Sequence, residues 1–99
     1  VDCFERFVIH LKRTVPLKHR VVVRRVDMKD DGSTSMSDSG LITVCIRKRD
    51  PRHRQLDTLV HEWGHAWEYD QIGNHGKGWG IGMAKAYEAW EQFRDEVEK

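Results

Sequence analysis

The sequence predicts a small α+β domain: one helix, then a small antiparallel sheet of about three strands, then two helices. Three observations carry this. Apolar residues recur at helical spacing near the start, two β-branched runs occupy the middle, and the period turns helical again from Leu56. The 99 residues are read as one domain, 1–99. Charged residues make up 33% of the chain and the hydrophobic class 38%, a balance that suits a folded chain rather than a disordered one. No apolar run approaches the roughly 20 residues needed to span a bilayer, so no membrane partner is expected.

Each element follows from local chemistry. Phe4, Phe7, Val8 and Leu11 are spaced for one helix face, with Glu5, Arg6, Lys12 and Arg13 between them, so residues 3–14 are expected to be helical. Pro16 ends that helix. The β-branched run from Arg20 to Val26 predicts a strand. Asp30-Asp31-Gly32 marks a turn, and Ser33 to Met36 a weak second strand. Ser37-Asp38-Ser39-Gly40 is another turn, before a strong strand from Leu41 to Arg47. Asp50 or a neighbour is expected to cap a helix with Pro51 at its first position. Leu56, Leu59, Val60, Trp63 and Trp67 then form one stripe, which fades after Tyr69-Asp70. Gly73-Asn74-His75-Gly76 is a break. The last helix is expected from about Trp79, its stripe being Trp79, Met83, Ala86, Tyr87, Trp90, Phe93 and Val97.

The chemistry concentrates in His61-Glu62-Trp63-Gly64-His65. Histidines four apart on a helix lie on one face, one turn from each other, where two ring nitrogens can reach one metal ion. At about 100° per residue, both fall opposite the apolar stripe, and Glu62 falls at its border. Glu62 is therefore offset from the ligand pair and placed to take a proton from a metal-bound water. Gly64 sacrifices about 1 kcal/mol of helix propensity, which makes sense where another segment must pack close. A catalytic zinc needs a third protein ligand and an open position for water. His75, ten residues beyond the motif and after a break, is the leading candidate, with Asp70, Glu68 and Glu88 as alternatives. His10, His19 and His53 are read as surface histidines. The tryptophans and Tyr87 are read as core, Trp79 having the best claim to a place near the cleft.

With these residues in view, the chain resembles the SprT-like zinc metalloprotease domain, the family that includes the Spartan-type proteases of DNA–protein crosslinks. The resemblance rests on His61-Glu62-x-x-His65, the preceding Leu56-Asp57-Thr58-Leu59-Val60 and the downstream His75-Gly76-Lys77-Gly78-Trp79. It covers most of the chain, although the segment from His65 to His75 is shorter than is usual in the family. It implies a minimal zincin-like domain in which His61, His65 and His75 hold one zinc ion and Glu62 is the general base. It implies proteins as substrates, often ones associated with DNA.

The charge is uneven. Residues 1–54 carry 13 Lys/Arg and 7 Asp/Glu, a balance of +6, while residues 55–99 carry 4 and 9, a balance of −5. The basic half includes a dense run in which Arg47, Lys48, Arg49, Arg52 and Arg54 are candidates for nucleic-acid phosphate. Such a run also serves as a solvated guard of strand edges. Cys3 and Cys45 lack any Cys-x-x-Cys spacing and are read as thiols in a reducing compartment, so an intracellular location is expected, cytoplasmic or nuclear. Two functions from different classes follow: a zinc-dependent endopeptidase, or a non-catalytic zinc-containing module that binds nucleic acid or protein. Glu62 separates them, because a purely structural site has no need of a carboxylate beside its first ligand.

Overall fold

The structure, a computed structural model, describes residues 2–67, 69 and 77–98, with no side-chain placement at 77, 97 and 98. The elements are α1 (Cys3–Thr14), β1 (Val21–Val26), β2 (Gly32–Met36), β3 (Ile42–Arg47), α2 (Arg52–Trp67) and α3 (Lys77–Glu98). The α+β class and the element order agree with the sequence reading. Among the described residues no helix is long and apolar enough to cross a membrane.

Helix α1 begins where Asp2 caps it, its Oδ1 accepting from the Glu5 N–H at 2.9 Å. That bond, with the Arg25 guanidinium 2.8 Å away, holds the Asp2 carboxyl below the ordinary aspartate range. Phe4, Phe7 and Leu11 are buried at the predicted spacing. Helix α2 starts one residue later than expected. The Pro51 carbonyl accepts the first helical bond, from Gln55 N–H at 3.0 Å, so Pro51 itself is the cap. The Asp50 carboxylate turns instead to Arg47.

The sheet is mixed, which corrects the antiparallel expectation. Its order is β1-β3-β2, with β1 parallel to β3 and β2 antiparallel to it. Strand β3 takes the centre because it is the strand with a clean apolar face, Ile42, Val44 and Ile46 being fully buried. Polar β2 goes to an edge, where half of its backbone groups can meet water. The link from β1 to β2 must then pass the end of β3, and Arg47 pins it there. Its guanidinium donates to the Lys29 carbonyl at 2.7 Å, to Asp31 Oδ1 at 2.7 Å and to Asp50 Oδ1 at 2.9 Å. The Asp50 bond, followed by the charges of Asp50 and Asp31, pushes the Arg47 pKa up.

The helices cover the apolar face of the sheet. Trp63 is completely buried and donates its indole N–H to the Val15 carbonyl at 2.9 Å, tying α2 to the end of α1. Phe7, Trp90 and Phe93 form an aromatic cluster between α1 and α3, with centroids of Phe7 5.2 Å from Trp90 and 5.3 Å from Phe93. The buried line of α3 is Gly82, Ala86, Ala89 and Phe93. Tyr87 falls outside it and is 50% exposed, contrary to its expected place in the core. Helices α2 and α3 meet through glycine. A Cβ on Gly64 would lie 3.1 Å from the Met83 backbone N and Cα, so the close packing expected at Gly64 is present. A Cβ on Gly82 would land on Trp67 and within 3.0 Å of the Gly64 carbonyl oxygen. Gly82→Ala is therefore expected to destabilise the fold by about 1–3 kcal/mol despite its better helix propensity. Gly80, with nothing within 4 Å of its Cβ position, is the control. Gly80→Ala should stabilise by up to about 1 kcal/mol. Urea midpoints of the two variants check both signs.

Candidate active site

Helix α2 carries the motif across the sheet so that its residues divide between two environments. Trp63 and Ala66 enter the core, and Gly64 meets α3. His61 and His65 are half-buried on the remaining face. Their Nε2 atoms lie 3.2 Å apart. Two nitrogens bound to one tetrahedral zinc at 2.0–2.1 Å must be separated by about 3.3 Å, so the pair has the spacing that zinc requires. The rings stand at 70° to each other, and the indole of Trp79, in the first turn of α3, packs 5.4 Å from His61 and 5.9 Å from His65. Trp79 thus lies beside the histidines, where the sequence reading gave it the best claim among the tryptophans.

Glu62 is buried, 7% exposed, although its side chain is a carboxyl group. Its partner is Thr34 on β2, whose hydroxyl donates to Glu62 Oε1 at 2.7 Å and also lies 3.2 Å from the Glu62 carbonyl. The sheet register explains this contact. Thr34 pairs with Val44, so its side chain shares the helix-covered face, where α2 passes. Gly32 permits the approach: a Cβ there would lie 2.6 Å from Thr58 Cγ2 and 3.2 Å from Glu62 Cγ. Among the described residues Oε2 of Glu62 accepts no hydrogen bond. Glu62 and His61 line a cleft of about 530 Å³, bordered also by Asp30, Asp31, Arg54, Asp57 and Thr58. The arrangement brings two imidazole nitrogens within 3.2 Å of each other beside a carboxyl group that Thr34 anchors through Oε1.

His75 lies outside the described residues, as do Asp70 and Glu68. Among the described residues no three His, Cys, Asp or Glu side chains gather closely enough to hold a metal. Glu88 is described and is not brought to the histidine pair; it lines a groove with Thr14, Val15 and Lys85. His19 and His53 are exposed, as expected, but His10 is half-buried against Phe7 and Phe93. Cys3 and Cys45 are free thiols.

The basic run does not act as one surface. Arg47 is committed to Asp31, Asp50 and Lys29, and its side chain is only 17% exposed. Lys48, Arg49, Arg52 and Arg54 are exposed. Of these, Arg54 borders the Glu62 cleft and Arg52 a separate groove. Sequence reasoning missed Thr34. A lone threonine in a polar strand carries no signal until the strand order is known. The chain matches no family model, no curated protein and no solved structure.

Thr34 gives the site a test that needs no assay of function. Thr34→Val keeps the shape and removes the hydroxyl, leaving a buried carboxylate oxygen without its donor. A loss of about 1.5–3 kcal/mol of stability is expected. Thr34→Ser, which keeps the donor, should recover most of it in the same denaturation experiment.

Proposed function

We propose that the chain is a zinc-dependent endopeptidase. The observation that carries this reading is the 3.2 Å separation of His61 Nε2 and His65 Nε2 beside the buried carboxylate of Glu62. His61 and His65 would hold the ion, with His75 as the third ligand. Zinc, when bound, supplies a Lewis acid and lowers the pKa of a coordinated water towards about 7. Glu62 takes a proton from the attacking water as the new carbon–oxygen bond forms. It returns that proton to the amide nitrogen as the carbon–nitrogen bond breaks. Thr34 anchors Oε1 and leaves Oε2 to carry the proton. Trp79 covers one side of the histidine pair and limits water there. The substrate is a protein or peptide chain laid in the cleft, and the exposed basic residues Lys48, Arg49 and Arg54 make DNA-associated proteins part of the proposal.

The test compares wild type with Glu62→Gln, which retains an oxygen for Thr34. Both should bind one zinc ion, and only wild type should cleave an unfolded protein, with kcat/KM falling by about 10²–10⁴ in the variant. Cleavage is measured with and without DNA. Equal cleavage by both proteins, or no metal in either, would sink the peptidase. Equal zinc without cleavage in either would favour a structural metal in a binding module.

The ligand set has its own test. His75→Ala should lower the zinc content sharply, read by metal analysis after dialysis. Full retention of zinc would move the third ligand to Asp70 or Glu68.

A further inference from the structure

We propose that a groove between the first turns of α1 and α2 and the second half of α3 docks a peptide segment carrying one large apolar side chain flanked by carboxylates. The groove encloses about 370 Å³, at the low end of the size of ligand sites and enough for one large side chain. Its floor is Leu56, Trp90 and Phe93, with Cys3 at one end. Trp90 is half-buried and already held edge-on by Phe7, which leaves a rigid aromatic wall.

The rim sets the sign of the ligand. Arg52, His53 and Arg94 line it, and among the described residues no carboxylate does. Arg6 reaches the same aromatic floor from α1, its guanidinium carbon 6.0 Å from the Phe93 ring centre. Among the described residues neither Arg52 nor Arg94 has a carboxylate within ion-pair reach. Two planar guanidiniums with no ion pair among the described residues, on different helices, match carboxylates in bidentate geometry. The first turn of α2 adds to this, since it contains no acidic residue to oppose the positive end of the helix.

The same surroundings exclude an extended polyphosphate. Glu91, Asp95 and Glu96 are exposed on α3 around Arg94, and Asp2 and Glu5 are exposed at the start of α1. Nucleic acid needs cationic charge along its track. Here the positive charge is local, bounded by acid and centred on an apolar floor. A short peptide motif satisfies all three conditions. The groove lies apart from the Glu62 cleft, which takes Arg54, Asp57 and Thr58 from α2 where the groove takes Arg52, His53 and Leu56. Docking there does not depend on the peptidase reading.

The probe is a fluorescein-labelled peptide with a single Phe between Asp and Glu residues, followed by fluorescence anisotropy at low salt. Saturable binding by wild type is expected. It should weaken at least about tenfold in the double variant Arg52→Glu/Arg94→Glu, and comparably when the peptide's Phe is replaced by Ala or its acids by Asn and Gln. Circular dichroism checks the fold of the variant, and the milder Arg94→Gln, expected to weaken binding severalfold, keeps the test open if the double variant unfolds. Absence of saturable binding, or equal binding by folded variants, would overturn the proposal. A short thymidine strand that displaces the peptide and binds more tightly would overturn it in favour of a nucleic-acid surface.

Discussion

Helices α2 and α3 touch through their backbones because Gly64 and Gly82 put no Cβ between them. Each glycine costs about 1 kcal/mol of helix propensity, which the buried Trp63, Ala86, Ala89 and Phe93 offset. The contact also has a consequence for the site. Gly64 stands one residue before His65 and one turn after His61, so whatever packs on it packs beside both imidazoles. Met83 is the residue that packs there, and Trp79 lies one turn before it on the same face of α3. The closeness of the helices therefore brings the indole within reach of the histidine rings. A larger residue at either glycine would move the Trp79 wall away from the pair.

The second constraint comes from the sheet. Once β3 occupies the centre, β2 must be an edge strand directly under α2, and alternation fixes which of its side chains face the helix. Thr34 is the one opposite Val44, so the single hydroxyl on that face meets the single buried carboxylate of α2. Arg47 keeps this register by fastening the chain that crosses the end of β3. A residue that looks like part of a nucleic-acid patch thus holds the strand that orients Glu62.

Much of this was legible in the sequence because it is periodic. The spacing of Phe4, Phe7 and Leu11 and of Leu56, Leu59, Val60 and Trp63 identified two helices and their buried faces, and the wheel placed His61 and His65 away from the apolar stripe. Gly64 was legible as a point of close packing, though not the helix that would fill it. Strand order is not legible in the spacing of residues along each strand, because it is the relative apolar content of the strands that sets β3 between β1 and β2. Thr34 was invisible for the same reason. Tyr87 lies outside the core because the buried line of α3 runs through its small residues, Gly82, Ala86 and Ala89, and not through the large ones that mark the stripe in the sequence.

The basic run shows why linear charge is a poor guide to a surface. Arg47 ends a strand, so its side chain is spent on neighbouring loops. Lys48 and Arg49 sit in the turn between β3 and α2. Arg52 and Arg54 are two residues apart on a helix and hence about 200° apart around its axis. One borders the groove with Trp90 and Arg94, and the other borders the cleft with Glu62. The acidic half is divided in the same way, with Asp57 at the cleft and Glu91, Asp95 and Glu96 around the groove. The two halves of opposite charge therefore interleave in space rather than facing apart. Each concavity receives its own mixture: acids beside His61, and arginines over an aromatic floor. Helix α2 separates them, and its 3.6-residue period is what assigns each charge to one or the other.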